Sequence, residues 1–224
     1  MPDASEDTID SLLASARLWR GTSASRTASA DNASHVPSGH AALDALLPLG
    51  GWPERGLIEL LLDEHGIGEL QIVMPLLRRA NPDPAVAGEG RWIAWLAPPF
   101  LPYAPALHSE GLALERQLIV RTLQTKEVWW AMEQVLRSGT CTAVLGWVDE
   151  ARGHALRRLK LAAEQGGSVG LLFRPTRYRS QASPANVRAA LRGVAASLEI
   201  EILKAQGGQT GRARVSASGL GVTG

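Results

Sequence analysis

The residues of this chain best placed to do chemistry lie between an apolar run and a helix-prone segment. Leu57-Ile58-Glu59-Leu60-Leu61-Leu62 is followed by Asp63-Glu64-His65-Gly66-Ile67-Gly68, then by Glu69-Leu70-Gln71. A short apolar run bounded by turn residues predicts a strand buried on both faces of a parallel sheet. In such sheets ligands bind beyond the carboxyl ends of the strands. A glycine-containing loop at that place is where a phosphate-binding loop would sit. It would need backbone N–H groups freed by glycine, a Lys for the outer phosphates, and a Ser or Thr hydroxyl for magnesium. Gly66 and Gly68 are present, but the Lys and the hydroxyl are not. Asp63, Glu64 and Glu69 put carboxylates where a triphosphate would lie, and like charges at close range repel. The metal-holding Asp and the catalytic Glu are missing as well. Ala143-Val144-Leu145 runs into Gly146-Trp147-Val148, and Ala97-Pro98-Pro99 follows Trp92–Leu96. These residues predict a degenerate nucleotide loop at Asp63, Gly66, Gly68 and Glu69, with no ATP hydrolysis, no catalytic residue and no cofactor. A tight strand-to-helix turn that never held a nucleotide fits the same spacing.

Other reactive residues do not assemble in sequence. His35, His40, His65, His108 and His154 show no paired-ligand spacing, and Cys141 is the one cysteine, so a metal site is not expected. Cys141 precedes Thr142-Ala143-Val144-Leu145 and reads as a buried thiol in a reducing compartment. Arg174, Arg177 and Arg179 surround Tyr178 just past an expected strand. Two readings stand side by side for them: a solvated loop, and a contact for single-stranded DNA or an acidic partner. Of the adjacent Trp129 and Trp130, one must point away from the other on a helix, which offers an exposed anchor.

The elements that would position these groups follow from periodicity. Thr8 to Arg20 carries an apolar stripe ending at Trp19, and the Ser-, Thr- and Ala-rich stretch after it reads as a linker. Residues 1–34 are thus an expected arm, with Trp19 as a partner-contact candidate. Residues 35–204 are an expected core domain and 205–224 a loose tail. Strands are predicted at 57–62, 92–96, 118–120, 143–148, 169–173 and 198–203, the last an edge strand with Glu199 and Glu201 outward. Helices are predicted at 70–79, 103–110, 125–137, 152–164 and, opened by Pro184, to about Ala196. Strands alternating with helices imply a doubly wound, mainly parallel α/β sheet. A net charge of +1 supplies no global field for nucleic acid. The acidic start and the absence of any bilayer-length apolar run point to a cytoplasmic protein away from membranes.

Several segments resemble known proteins. Ser38-Gly39, Leu43-Asp44 and Gly50-Gly51-Trp52-Pro53 are similar in spacing to the approach to the P-loop strand of RecA. Leu18-Trp19-Arg20-Gly21, Gly66-Ile67-Gly68-Glu69-Leu70, Trp92 through Pro99, Leu101-Pro102-Tyr103-Ala104-Pro105 and Leu172-Phe173-Arg174-Pro175 resemble the ImuA family, related to RecA and SulA. That resemblance implies a RecA-like fold with a degenerate P-loop and a non-catalytic role in SOS-induced translesion DNA synthesis. The partners it implies are an ImuB-like inactive Y-family polymerase and an error-prone C-family polymerase. RecA or a second copy of the chain, and a weak DNA contact, complete that set. The alternative is a SulA-like inhibitor of cell division that binds the tubulin-like division protein.

Overall fold

The structure, a computed structural model, describes residues 34–81, 91–121, 124–150 and 153–216. The expected arm, Trp19 included, lies outside the described residues but for Ser34. Residues Ala33–Gly224 form one compact unit.

Its frame is an eight-stranded sheet with the order β10-β9-β8-β3-β7-β6-β4-β5. The strands are β3 (Gly56–Leu61), β4 (Trp92–Leu96), β5 (Gln117–Val120), β6 (Cys141–Trp147), β7 (Val169–Arg174), β8 (Val187–Val194), β9 (Ser197–Ala205) and β10 (Gly211–Ser216). A short pair, β1 (His35–Val36) and β2 (Trp52–Pro53), stands beside it. The strands from β8 to β5 pair in parallel, whereas β9 runs antiparallel to both β8 and β10.

Helices cover the parallel part on both faces, which is why β3 and β7 are buried at every residue. On one face Leu43, Trp52, Leu76, Leu77, Leu107 and Leu112 pack against Ile58, Leu60, Trp95, Leu145 and Phe173. They come from α1 (Ala41–Asp44), α2 (Met74–Ala80), α3 (Ala104–Ser109) and their connections. The other face holds α4 (Thr125–Ser138) and α5 (Gly153–Gly166). There Val128, Met132, Leu136, Leu156 and Leu159 recur every three or four residues and meet Leu57, Ala94, Val144 and Leu172.

The carboxyl-terminal quarter differs from expectation. The predicted helix from Pro184 is instead β8, paired to β3 on one side and β9 on the other. Its Ala and Arg residues favour a helix in isolation, but Val187, Ala189 and Leu191 alternate and fill one face of the sheet, and tertiary pairing overrides propensity. Where a tail was expected, β9 continues to Ala205 and β10 follows, turning its alternate residues Ala213 and Val215 inward. The sheet is thus mixed, with an antiparallel meander at one end.

Candidate functional site

Four loops leave the carboxyl ends of β3, β4, β6 and β7, and two of them contain the residues singled out by spacing. In the loop after β3, Gly66 and Gly68 adopt φ of +83° and +99°, a region that favours glycine. The freed Gly66 N–H is already used. It donates to the Glu69 carboxylate at 2.9 and 3.1 Å, so a side chain of the same loop takes the place an anion would need. Glu69 is almost fully buried there. Asp63 reaches across to the loop after β7, where its carboxylate accepts the Thr176 N–H at 2.9 Å and the Thr176 hydroxyl. Those two bonds hold the Asp63 carboxyl below its usual range. No helix opens directly behind Gly68: a 3-10 turn (Gln71–Val73) precedes α2. Among the described residues no group of acids, His and Cys converges to hold a metal ion.

The three arginines of the second loop part company. Arg174, on the last residue of β7, is wholly buried and binds the Glu59 carboxylate. Arg188 approaches the same carboxylate, with its Nε 2.8 Å from Glu59 Oε2, and donates to the carbonyls of Tyr178, Arg179 and Gln181. The loop therefore folds over the sheet around a buried charge cluster, with the Arg174 guanidinium 4.3 Å from the centroid of the Tyr178 ring. Arg177 pairs with Asp149 and Arg179 with Glu201 at 2.6 Å, both half-exposed.

The loop after β4 presents what the spacing did not reveal. Phe100, Leu101 and Tyr103 are 69%, 69% and 71% exposed. Three prolines interrupt Pro98-Pro99-Phe100-Leu101-Pro102-Tyr103, so the segment forms neither strand nor helix and its apolar residues have no periodic face to bury. Ala97 launches it in a left-handed conformation, φ +51°, while its N–H donates to the Val120 carbonyl at 2.8 Å. A non-glycine residue held in that region is strained, and such strain persists where the surrounding structure imposes it. The signal available in the sequence was this dense alternation of proline with large apolar residues. Trp130, on the outer side of α4, is also largely exposed, whereas Trp129 donates its indole N–H to the Glu150 carbonyl. Cys141 is buried, and desolvation pushes its thiol up to about 11, so it is inert as a nucleophile.

Comparison with known proteins decides the family. The model of the family described as "Cell division inhibitor SulA" matches residues 57–170, from β3 into β7. The chain belongs to the SulA family. The cell division inhibitor SulA of Edwardsiella piscicida is 32% identical over 149 residues, covering 64% of this chain and 83% of that protein. The SulA of Serratia proteamaculans is 30% identical over 125 residues, covering 55% and 71%. The crystal structure of SulA from Pseudomonas aeruginosa aligns with 25% identity and a TM-score of 0.41, over 53% of this chain and 97% of that one.

This membership corrects the resemblance to ImuA and what it implied. The chain is read neither as a RecA-like, mainly parallel domain with a degenerate P-loop nor as a pseudo-ATPase of translesion synthesis. The ImuB-like and C-family polymerases, RecA and a DNA contact are withdrawn as partners with it. The physical reason lies in what the shared segments do. Gly51 lies so close under Val36 that a Cβ would sit 2.5 Å from its carbonyl, Trp52 is buried and donates to the Ile72 carbonyl at 2.6 Å, and Trp95 and Leu96 are core. Segments selected for packing recur among related folds whatever those folds bind.

Proposed function

We propose that this chain arrests cell division as part of the SOS response by binding the tubulin-like division protein, and that it does so without catalysis. The observation that carries the reading is the match of residues 57–170 to a family named for inhibition of cell division. The structure supplies a fitting surface. Phe100, Leu101 and Tyr103 each stand exposed on a strained, proline-stiffened loop, and stiff apolar anchors are the usual energetic centre of a protein interface. A binding role without turnover is supported by the loop after β3, whose glycine N–H is occupied by Glu69 and which has no Lys.

The test combines cells and purified protein. Expression of the chain is expected to produce filamentous cells, and the pure protein to bind the division protein in a sedimentation or interferometry assay. The triple substitution Phe100→Ala, Leu101→Ala, Tyr103→Ala is expected to abolish both while leaving the melting temperature nearly unchanged, because all three side chains are exposed. Normal division at high expression, together with no binding, would overturn the reading. Undiminished binding by the triple variant would move the interface elsewhere on the molecule.

A further inference from the structure

Residues 175–216 lie beyond the stretch matched by the family model, and they build β8, β9 and β10. The outward face of this meander is a lattice of charge. Glu199 accepts from Arg192 at 2.7 Å and from Arg214. Glu201 accepts from Arg179 at 2.6 Å, with Arg212 3.6 Å away. Four guanidinium groups against two carboxylates leave a surplus of two positive charges on the face. The face also walls an open hollow of about 840 Å³, closed on its other side by the loop carrying Asp63 and Glu64. That loop touches β8, where Ile67 lies over Gly193, and its two acids share the hollow with Arg212 and Arg214.

β10 is an edge strand, and among the described residues nothing pairs with its outer side. Arg212 and Arg214 keep 80% and 63% of their side-chain surface in solvent, while Ala213 and Val215, alternating with them, point into the core. We propose that the β10 edge receives an acidic, extended peptide of a partner protein as an added strand. An added strand would satisfy the open backbone groups of β10, and acidic residues at every second position would face Arg212 and Arg214 as cross-strand pairs. The spacing of alternate residues in a strand, about 6.8 Å, sets that match. Arginines on an edge also repel basic and purely apolar strands, which gives the edge its selectivity. Nucleic acid offers the charge but not the backbone donors and acceptors of a strand. The proposal does not rest on division-protein binding by the loop after β4.

The test uses the full chain and a fluorescein-labelled ten-residue peptide of alternating Asp and Thr, read by anisotropy at low salt. Binding is expected, along with slowed hydrogen exchange of the amides at 211–216. The double substitution R212E/R214E is expected to weaken binding by roughly ten-fold or more. Should that variant not fold, Arg212→Gln in its place is expected to weaken binding by roughly three-fold. Three further probes decide the mechanism: the same peptide with every Thr replaced by Pro, a Lys/Thr peptide, and a ten-nucleotide oligothymidylate. None is expected to match the Asp/Thr peptide. Equal binding by the Pro peptide would reduce the interaction to charge alone, and equal or tighter binding by the oligothymidylate would make the face a nucleic-acid surface. Either outcome overturns the proposal, as does the absence of binding or indifference to the substitutions.

Discussion

The Nε of Arg188 stands 2.8 Å from Oε2 of Glu59, and Arg174 reaches the other oxygen of the same carboxylate, with all three side chains buried. One acid thus holds two guanidinium groups out of water and anchors the loop that closes β7 onto the sheet.

Glu59 is consequently the most sensitive charged position in the core. Glu59→Gln leaves two buried cations without their counter-charge, and breaking a buried pair in this way costs about 3–5 kcal/mol. Urea denaturation is expected to show that loss. A loss below about 1 kcal/mol, typical of exposed pairs, would mean that water reaches the cluster.

Arg91, partly buried, is a second organiser, and among the described residues it pairs with no carboxylate. Its guanidinium donates to the carbonyls of Cys141, Gly166 and Gly167 at 3.0, 2.9 and 3.1 Å, and to the Ser168 hydroxyl at 3.1 Å. Gly166 ends α5, so the cation also meets the negative end of a helix dipole. Arg91→Ala strands several carbonyls and is expected to lower stability by about 3 kcal/mol. Arg91→Lys, which cannot fork to all of them, should recover only part of that in thermal melts.

Ala97 tests whether backbone strain holds the apolar loop out. Glycine accepts its φ of +51° without penalty, so Ala97→Gly is expected to leave stability unchanged or raise it by up to about 1 kcal/mol. A β-branched residue is worse there, and Ala97→Val is expected to cost about 1–3 kcal/mol. If Ala97→Gly keeps the melting temperature yet weakens binding of the division protein, the strain serves to present Phe100, Leu101 and Tyr103.

Asp63 supplies a pH dependence of definite sign. Its folded pKa lies below the ordinary value of 3.8 because Thr176 donates two hydrogen bonds to the charged form. Stability from this contact is present above pH 3.8 and is lost as pH falls through the lowered folded value. Asp63→Asn should therefore lower the melting temperature at pH 8, where the charged contact is fully present, and flatten part of the acid limb, so that the two proteins converge toward pH 2.5. Melting temperatures measured from pH 2.5 to 8 check this, and an unchanged acid limb would show the contact to be lost in solution.

The parallel part of the fold was legible from the residues. Runs such as Leu57–Leu62 and Val169–Phe173 can be buried only between two layers, and the spacing of Val128, Met132 and Leu136 marks one helix face. The absence of Lys from the loop after β3 was equally plain. Those features are local, since they depend on which side chains stand two or four residues apart.

The rest depended on partners distant along the chain. Val187 to Leu191 became a strand because β3 and β9 stood on either side of it. Arg174, placed by sequence in an exposed basic loop, is buried because Glu59 lies 115 residues earlier on the neighbouring strand. Phe100, Leu101 and Tyr103 were ordinary apolar residues until a left-handed Ala97 and three prolines kept them from the core. The sequence by itself determined the periodicities and the lack of a Lys in the loop after β3. Only the tertiary structure decided which charges are paired and which apolar groups remain in water, because burial belongs to the pair of surfaces that meet and not to either segment alone.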